Sequence, residues 1–540
     1  MGIASTLSRW ADAIVFDLGR QMRWSFLPSL MVYFAFGCST IAGIVGTFFV
    51  KDFLDFSAAY IAGLAFWAGL PWALKMPLGH LVDLIWRWKA WLIWLGAGLV
   101  ALSMGVMYLV LTQRAAMAAV MPVGAWYTLS LLIAPCGLVL QDAVADAMSV
   151  EAVPQIDAQG RTIPEGALKA MHTTMQTLGR FALISGTVLV ALVNITLFSG
   201  IEQMTDPEKE AVYAGIYLLG LGIPVISVSG VMIASVQRRR RRHAFTAMGL
   251  PAEAAHPPAP ETRFNPWYFL GGGAFVALTL VIGLSGIAYG QEIIFAGSML
   301  IVILLMRQLV AVLPPAQARA LVGTALIIFT FRATPLPGSA LTWFEIDVLG
   351  FDQQFLSVLS LITSVLTLAG MLVLRPLIAR KPIVLIILLL TLATGVLSLP
   401  NIGLYYGVHH WTAPLTGGVV DARFIAVMDT AIESPLGQIA MIPMLAWIAR
   451  NAPQQLKATF FAVMASFTNL ALSASSLSTR YINRIFEITR EVRDPATGAL
   501  TTAADYSELG WLLLSVAGLG VGVPLLVIVL VQASPLRSTD

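Results

Sequence analysis

Long apolar runs, separated by short stretches rich in Gly, Pro, Asn and charge, recur along the whole chain. A helix needs about 20 apolar residues to cross the hydrocarbon layer of a bilayer. Such runs lie near residues 26–48, 58–74, 90–112, 119–150, 171–197 and 212–236. A polar stretch, 237–267, follows, and further runs lie near 268–289, 292–313, 318–345, 354–375, 381–399, 424–449, 457–478 and 511–533. The expected total is about fourteen spans. Lipid offers backbone groups no partner, and the runs are too long and too uniformly apolar for barrel strands, so helices are expected. The fold class predicted is all-α, a polytopic membrane protein.

Composition agrees. Of 540 residues 58% are hydrophobic and only 11% charged, too few charges to cover a solvated globular surface. The formal net charge is +3, without the solvated basic surface that nucleic-acid binding requires. The two cysteines, Cys38 and Cys136, fall inside apolar runs and suggest neither a disulfide framework nor a metal site. Residues 1–25 carry Arg9, Asp12, Asp17, Arg20 and Arg23 and show no signal-peptide pattern, so the first span is expected to act as the insertion signal.

The cations set an orientation. With the N-terminus in the cytoplasm, 21 of them fall in cytoplasmic segments and eight in outer loops. Both termini are therefore placed in the cytoplasm, and the run Arg238–Arg242 reads as a topology anchor that meets anionic lipid headgroups. Trp86, Trp88, Trp91 and Trp94 surround one helix end as an interfacial aromatic belt.

An internal repeat divides the chain. FFVKDFLDFSAAYIAGLA after the first span matches WFEIDVLGFDQQFLSVLS at an offset of 295 residues, pairing Phe49 with Phe344, Asp52 with Asp347, Leu54 with Leu349 and Phe56 with Phe351. The plan this implies is a cytoplasmic segment 1–25, a six-helix bundle 26–236, a basic and Pro-rich linker 237–267, an inserted helix pair 268–313, a second six-helix bundle 314–533 and a tail 534–540. Two parallel six-helix repeats are the organisation of major facilitator transporters, in which substrate binds at mid-depth at the repeat interface.

Between the second and third spans, Gly79, Asp83, Arg87 and Lys89 follow the G-x-x-x-D-x-x-x-R-x-K/R spacing of the major facilitator loop. A carboxylate and cations at a helix end can lock one conformation through salt bridges and the helix dipole, and a plain positive-inside loop would look similar. Together with Pro71, Trp72 and Lys75, with QDAVADAMSVE in the fourth span, and with the stretch 437–476 that includes Pro443, Pro453, Ala462 and Asn469, this set resembles the folate-biopterin transporter family. Lys457, where that family usually presents an acidic residue, and the inserted helix pair are departures. The resemblance implies a secondary active transporter that imports a folate- or pterin-like organic anion with protons, by alternating access. It also makes Lys75, Gly79, Asp83, Arg87 and Lys89 the gating loop. The QD-x-x-x-DA element equally resembles the muropeptide permeases, which keeps a carrier of another solute open.

Ionisable groups inside spans are costly and usually face the bundle interior, where they pair or work. Asp142 and Asp146, four residues apart, lie about 40° from each other on one helix face, a proton-coupling or an ion-pairing arrangement. Arg180 in the fifth span lies at similar depth as their expected partner, while Glu151 reads as an ion-pair partner of Arg87 and Lys89. In the second half, Asp429 and Glu433 are again four apart, near Pro435. Arg332 aligns with Gly37 at mid-span, and Pro335 and Pro337 just beyond it predict a broken helix. A guanidinium binds a carboxylate bidentately or stacks on a flat ring, so Arg332, with Asp429, Glu433 and Arg180, is the expected substrate site, pairing of Arg332 with either carboxylate being the plainer reading. His409 and His410 read as solvated residues of an outer loop.

No P-loop, zinc-binding helix or nucleophile elbow occurs, so neither ATP-driven transport nor hydrolysis is supported. The expected partners are a small-molecule substrate, protons and membrane lipid, with no cofactor, no metal and no nucleic acid. A monomeric functional unit in a bacterial inner membrane is expected. The reading from a different class is a non-transporting membrane assembly or pigment-handling factor on the same fold.

Overall fold

The computed structural model describes residues 22–54, 56–154, 161, 163–249, 264, 266–285, 287–311, 313–378, 382–439, 457–493 and 500–537. Its helices are α1 (Leu27–Cys38), α2 (Ala42–Phe53), α3 (Ala58–Gly69), α4 (Lys75–Leu84), α5 (Ala90–Thr112), α6 (Arg114–Val120) and α7 (Val123–Ala152). They continue with α8 (Glu165–Leu197), α9 (Asp206–Gly220), α10 (Gly222–Ala247), α11 (Pro266–Leu284), α12 (Gly290–Val310), α13 (Pro315–Arg332) and α14 (Ser339–Asp347). The remainder are α15 (Gln353–Ile378), α16 (Ile383–Leu397), α17 (Leu399–Tyr405), α18 (His409–Leu415), α19 (Ala422–Ile439), α20 (Lys457–Ile485) and α21 (Leu509–Gln532). A two-stranded antiparallel hairpin, β1 (Val492–Arg493) and β2 (Leu500–Thr502), joins α20 to α21.

Among the described residues, 11 helices are long and apolar enough to cross a membrane. Each overlaps a run predicted from the sequence. The remaining three runs, near 318–345, 424–449 and 457–478, fall on the interrupted α13 and α14 and on α19 and α20, which border residues outside the described set. The protein is a predominantly helical membrane protein. The helix α10 continues to Ala247, so Arg238–Arg242 stand on helical turns, which arginine favours as a good helix former.

The chain forms two compact units: residues 1–43, 78–197 and 205–264 in the first, and 44–77, 198–204 and 265–540 in the second. The boundaries cut the first two spans. α1 belongs to the first unit and nearly all of α2 to the second, while α3 belongs to the second and most of α4 to the first.

Lipid tails are as apolar as leucine, so helices in a bilayer associate through close van der Waals contact at small residues. In the first unit a Cβ on Gly37 of α1 would lie 1.8 Å from the Leu183 carbonyl oxygen of α8, and one on Gly186 would lie 2.4 Å from that of Phe34. Gly96 of α5 and Gly137 of α7 meet in the same way, each 2.5 Å from the other's carbonyl oxygen. Around these contacts Phe26, Tyr33, Ile93, Val144, Met148 and Met175 form the first unit's core.

Among the described residues, the second unit holds two cores. One joins Phe66 and Leu70 to Phe275 and Ile294 of α11 and α12, Ile328 of α13, Ile387 of α16 and Leu470 of α20. The helix pair α11 and α12 therefore packs as part of this unit. The other core gathers Ala58, Trp343, Phe344, Ile482, Leu509 and Leu512.

Candidate functional site

In the first unit, Asp142 and Asp146 project from α7, half-buried. The Tyr33 hydroxyl of α1 donates to Asp146 Oδ1 at 2.7 Å, and Asp142 lies within electrostatic reach of the same hydroxyl. Room for the ring exists because residue 179 is glycine: a Cβ there would lie 2.9 Å from the Tyr33 ring. The neighbouring Arg180 is half-buried on α8, and among the described residues no ion pair joins it to either carboxylate. The tyrosine was not among the sequence candidates, since nothing in its apolar surroundings marks it.

One helical turn beyond Asp146, Glu151 accepts from Lys89 Nζ at 2.6 Å and lies 3.4 Å from Arg238. Lys89 is 3% exposed and its ammonium stands 3.4 Å from the centre of the Trp86 ring. Burial lowers the Lys89 pKa, and the Glu151 carboxylate opposes that shift. Of the other gating-loop residues, Asp83 is half-buried within electrostatic reach of Lys89, Arg87 is exposed, and Gly79 faces open space. Lys75 opens α4 on the second unit's side of the boundary.

In the second unit, α13 stops at Arg332 and the chain stays non-helical until α14 begins at Ser339. Pro335 and Pro337 occupy the interruption, where they remove two backbone donors. Ser475 Oγ of α20 donates to the Thr334 carbonyl at 2.6 Å and Thr479 Oγ1 accepts from Leu336 N at 2.9 Å. Asn483 Nδ2 adds a bond to the Pro337 carbonyl at 3.1 Å. The break is thus satisfied by polar side chains of α20, as irregular backbone within a bilayer must be. Arg332 is half-buried, its Nε without a hydrogen-bond partner among the described residues, and no ion pair joins it to Asp429.

Asp429, 7% exposed on α19, accepts from Asn401 Nδ2 at 3.1 Å. Glu345 of α14 lies within electrostatic reach of it and is a carboxylate that the sequence reading passed over. Glu433 lies on α19, its side chain outside the described set. Two blocks of the sequence resemblance meet in this unit, where Asn469 Nδ2 donates to the Trp72 carbonyl at 3.2 Å.

Residues 225–539 match the BT1 family model. The chain belongs to the BT1 family. A relative in Synechocystis sp. (strain ATCC 27184 / PCC 6803 / Kazusa), a folate-biopterin transporter, is 24% identical over 458 residues, covering 84% of this chain and 74% of that protein. The likeness to folate-biopterin transporters read from the motifs is borne out by this relationship. The fold is shared with solved transporters. A POT family transporter in complex with 5-aminolevulinic acid superimposes with a TM-score of 0.60 at 11% identity, covering 96% of each chain. A D-xylose-proton symporter does so with a TM-score of 0.51 at 13% identity, over 93% of this chain and 95% of the other. This BT1-family member is a membrane protein that shares its fold with solved transporters.

Proposed function

We infer that the protein imports a folate- or pterin-like organic anion together with protons, by alternating access, across a bacterial inner membrane with both termini in the cytoplasm. The observation that carries the substrate class is Arg332. A guanidinium placed where a helix is interrupted, with a buried donor that has no hydrogen-bond partner among the described residues, suits an anionic or flat hydrogen-bonding ligand. The folate-biopterin relative supports the same class of solute. Asp142 and Asp146, facing one tyrosine hydroxyl, are the proposed proton carriers, because neighbouring carboxylates do not both ionise cheaply. Asp429 and Glu433, in the same unit as Arg332, complete that unit's set assigned to substrate.

The test is uptake of radiolabelled folate into proteoliposomes with an inward proton gradient. Gradient-driven uptake that falls at least about tenfold in Arg332→Ala, the scale of one charge-assisted hydrogen bond, supports the reading. Folded protein without uptake, or uptake indifferent to the gradient and to Arg332, overturns it.

A further inference from the structure

The second unit carries a cavity of about 630 Å³ where the end of α14, the turn between α17 and α18, and the residues before α21 come together. Pockets that hold small molecules span roughly 300–1,000 Å³, so one fused ring system fits. Five of the lining side chains are rings, those of Phe344, Tyr405, Tyr406, His410 and Tyr506.

These rings are set by the fold. The Phe344 ring centre lies 5.6 Å from that of Tyr405 and 5.8 Å from that of Tyr506, and the Tyr406 ring stands at 80° to Tyr405, 5.0 Å away. The Tyr405 hydroxyl donates to the Ser507 carbonyl at 2.9 Å, and the Tyr506 hydroxyl to Asp347 Oδ2 at 2.6 Å. Two glycines make the arrangement possible. A Cβ on Gly510 would lie 2.5 Å from the Tyr405 ring and 2.8 Å from the Tyr406 hydroxyl. Gly407 has a φ of 74°, open to glycine at no steric cost, and a Cβ there would lie 2.9 Å from the His410 ring. The chain thereby turns back and sets His410 on the cavity's rim.

The lining selects for shape and against charge. Among the described residues no carboxylate, lysine or arginine lines the cavity, so an ionic group would find no opposite charge in it. Aromatic rings are negative on the face and positive at the edge, and rings held at steep angles offer both to a planar guest. The Tyr406 hydroxyl and the His410 imidazole make no hydrogen bond among the described residues and stand at the exposed rim, free to meet the polar edge of that guest. We propose that this cavity is a second recognition site, which takes the flat, uncharged, nitrogen-bearing ring of a pterin-like molecule. The choice of a pterin ring rests on the substrate class inferred above; the fit to a planar uncharged guest rests on the lining. Arg332 reads a charge, and this cavity reads a plane.

The test is equilibrium dialysis of the full-length protein in detergent against pterin, the bare ring system, followed by pterin fluorescence. Tyr406 is 61% exposed, so Tyr406→Ala removes no core contact; it is expected to weaken binding roughly tenfold, the scale of one lost stacking partner. Tyr406→Phe keeps the ring and is expected to lose less. Val348→Trp, at an exposed position of the lining, is expected to fill the cavity and abolish the site. Trp411→Ala removes an exposed ring of α18 that lies outside the lining and is expected to change nothing. Binding at the cavity is expected to persist in folded Arg332→Ala. Parent protein that binds no pterin, binding unchanged in both Tyr406→Ala and Val348→Trp, or loss of all binding in Arg332→Ala overturns the proposal. Pterin binding that depends on the cavity in a protein without folate uptake rejects only the proposed transport. Folate uptake lost in Arg332→Ala, with pterin binding indifferent to the cavity variants, rejects only the second site.

Discussion

The Tyr33 hydroxyl on α1 and the Asp146 carboxylate on α7 are joined by a 2.7 Å hydrogen bond between residues 113 positions apart. The bond links two helices of the first unit at the carboxylates to which proton coupling is assigned. Removing the hydroxyl in Tyr33→Phe keeps the ring that fills the space above Gly179 and deletes only the donor. Unfolding free energy is expected to fall by ~1 kcal/mol, the net worth of a typical hydrogen bond. Gradient-driven uptake is expected to fall as well. A double-mutant cycle with Asp146→Asn checks the assignment: the two effects on uptake are expected to be strongly non-additive. Simple additivity would mean that Tyr33 acts elsewhere.

The backbone contact between α1 and α8 makes a sharper structural prediction. Gly37 leaves no room for a Cβ against the Leu183 carbonyl, so Gly37→Ala must push two helices apart. Overpacking of this kind costs about 1–3 kcal/mol or more. Gly43, a few residues on, has nothing within 4 Å of an added Cβ. In its helical position alanine is expected to be neutral or to stabilise by up to ~1 kcal/mol. Thermal unfolding in detergent of the two variants, side by side, reads the difference directly. Equal behaviour would show that the close approach is not what holds these helices together.

The apolar runs placed the spans and the fold class because the bilayer imposes one length and one periodicity on every helix. Local motifs were legible for the same reason that they are local. Pro335 and Pro337 announced the interruption after Arg332, and the spacing of Asp142 and Asp146 put them on one face of α7. Partners distant in sequence were not legible. Tyr33 is one aromatic residue among many in an apolar run. Glu151 was expected to pair near Lys89, and it does, but its second cation, Arg238, comes from the basic run that reads simply as a topology anchor. Lys89 itself, expected in a cytoplasmic loop, is buried.

The pair His409 and His410 gives a pH prediction. The ring centres lie 4.0 Å apart with the rings tilted at 45°, and His409 Nδ1 is buried without a hydrogen-bond partner among the described residues. Burial first, and the neighbouring His410 second, lower the His409 pKa from its ordinary value of 6.5, with Asp421 opposing. Below pH 6.5 the unfolded segment therefore binds more protons than the folded one, and stability falls as pH drops from that value toward the lowered pKa. Hydrogen exchange of residues 399–416 is expected to quicken over this window, and His409→Asn to flatten the dependence. Exchange in the parent protein that does not respond to pH in this window, after correction for the intrinsic rate, would count against the shift.

The helix pair α11 and α12 is tied to the second unit by polar contacts as well as by its apolar core. Gln291 at the start of α12 donates to the Gly63 carbonyl at 3.2 Å and accepts from Arg480 Nη1 at 2.7 Å, while Tyr481 of α20 donates to Glu292. One glutamine therefore links α3, α12 and α20. Gln291→Leu keeps the volume close but leaves an arginine donor and a backbone carbonyl without it, at a cost of about 1–3 kcal/mol for a buried polar group stranded in this way. Glu292→Gln retains an oxygen for Tyr481 and should cost less. Hydrogen exchange across residues 290–310 is expected to rise strongly in Gln291→Leu and weakly in Glu292→Gln, with exchange in α5 and α7 of the first unit unchanged. If α12 stays equally protected in Gln291→Leu, the apolar contacts of Phe275, Ile294 and Val302 alone hold the pair in place, and Gln291 serves only to satisfy its neighbours.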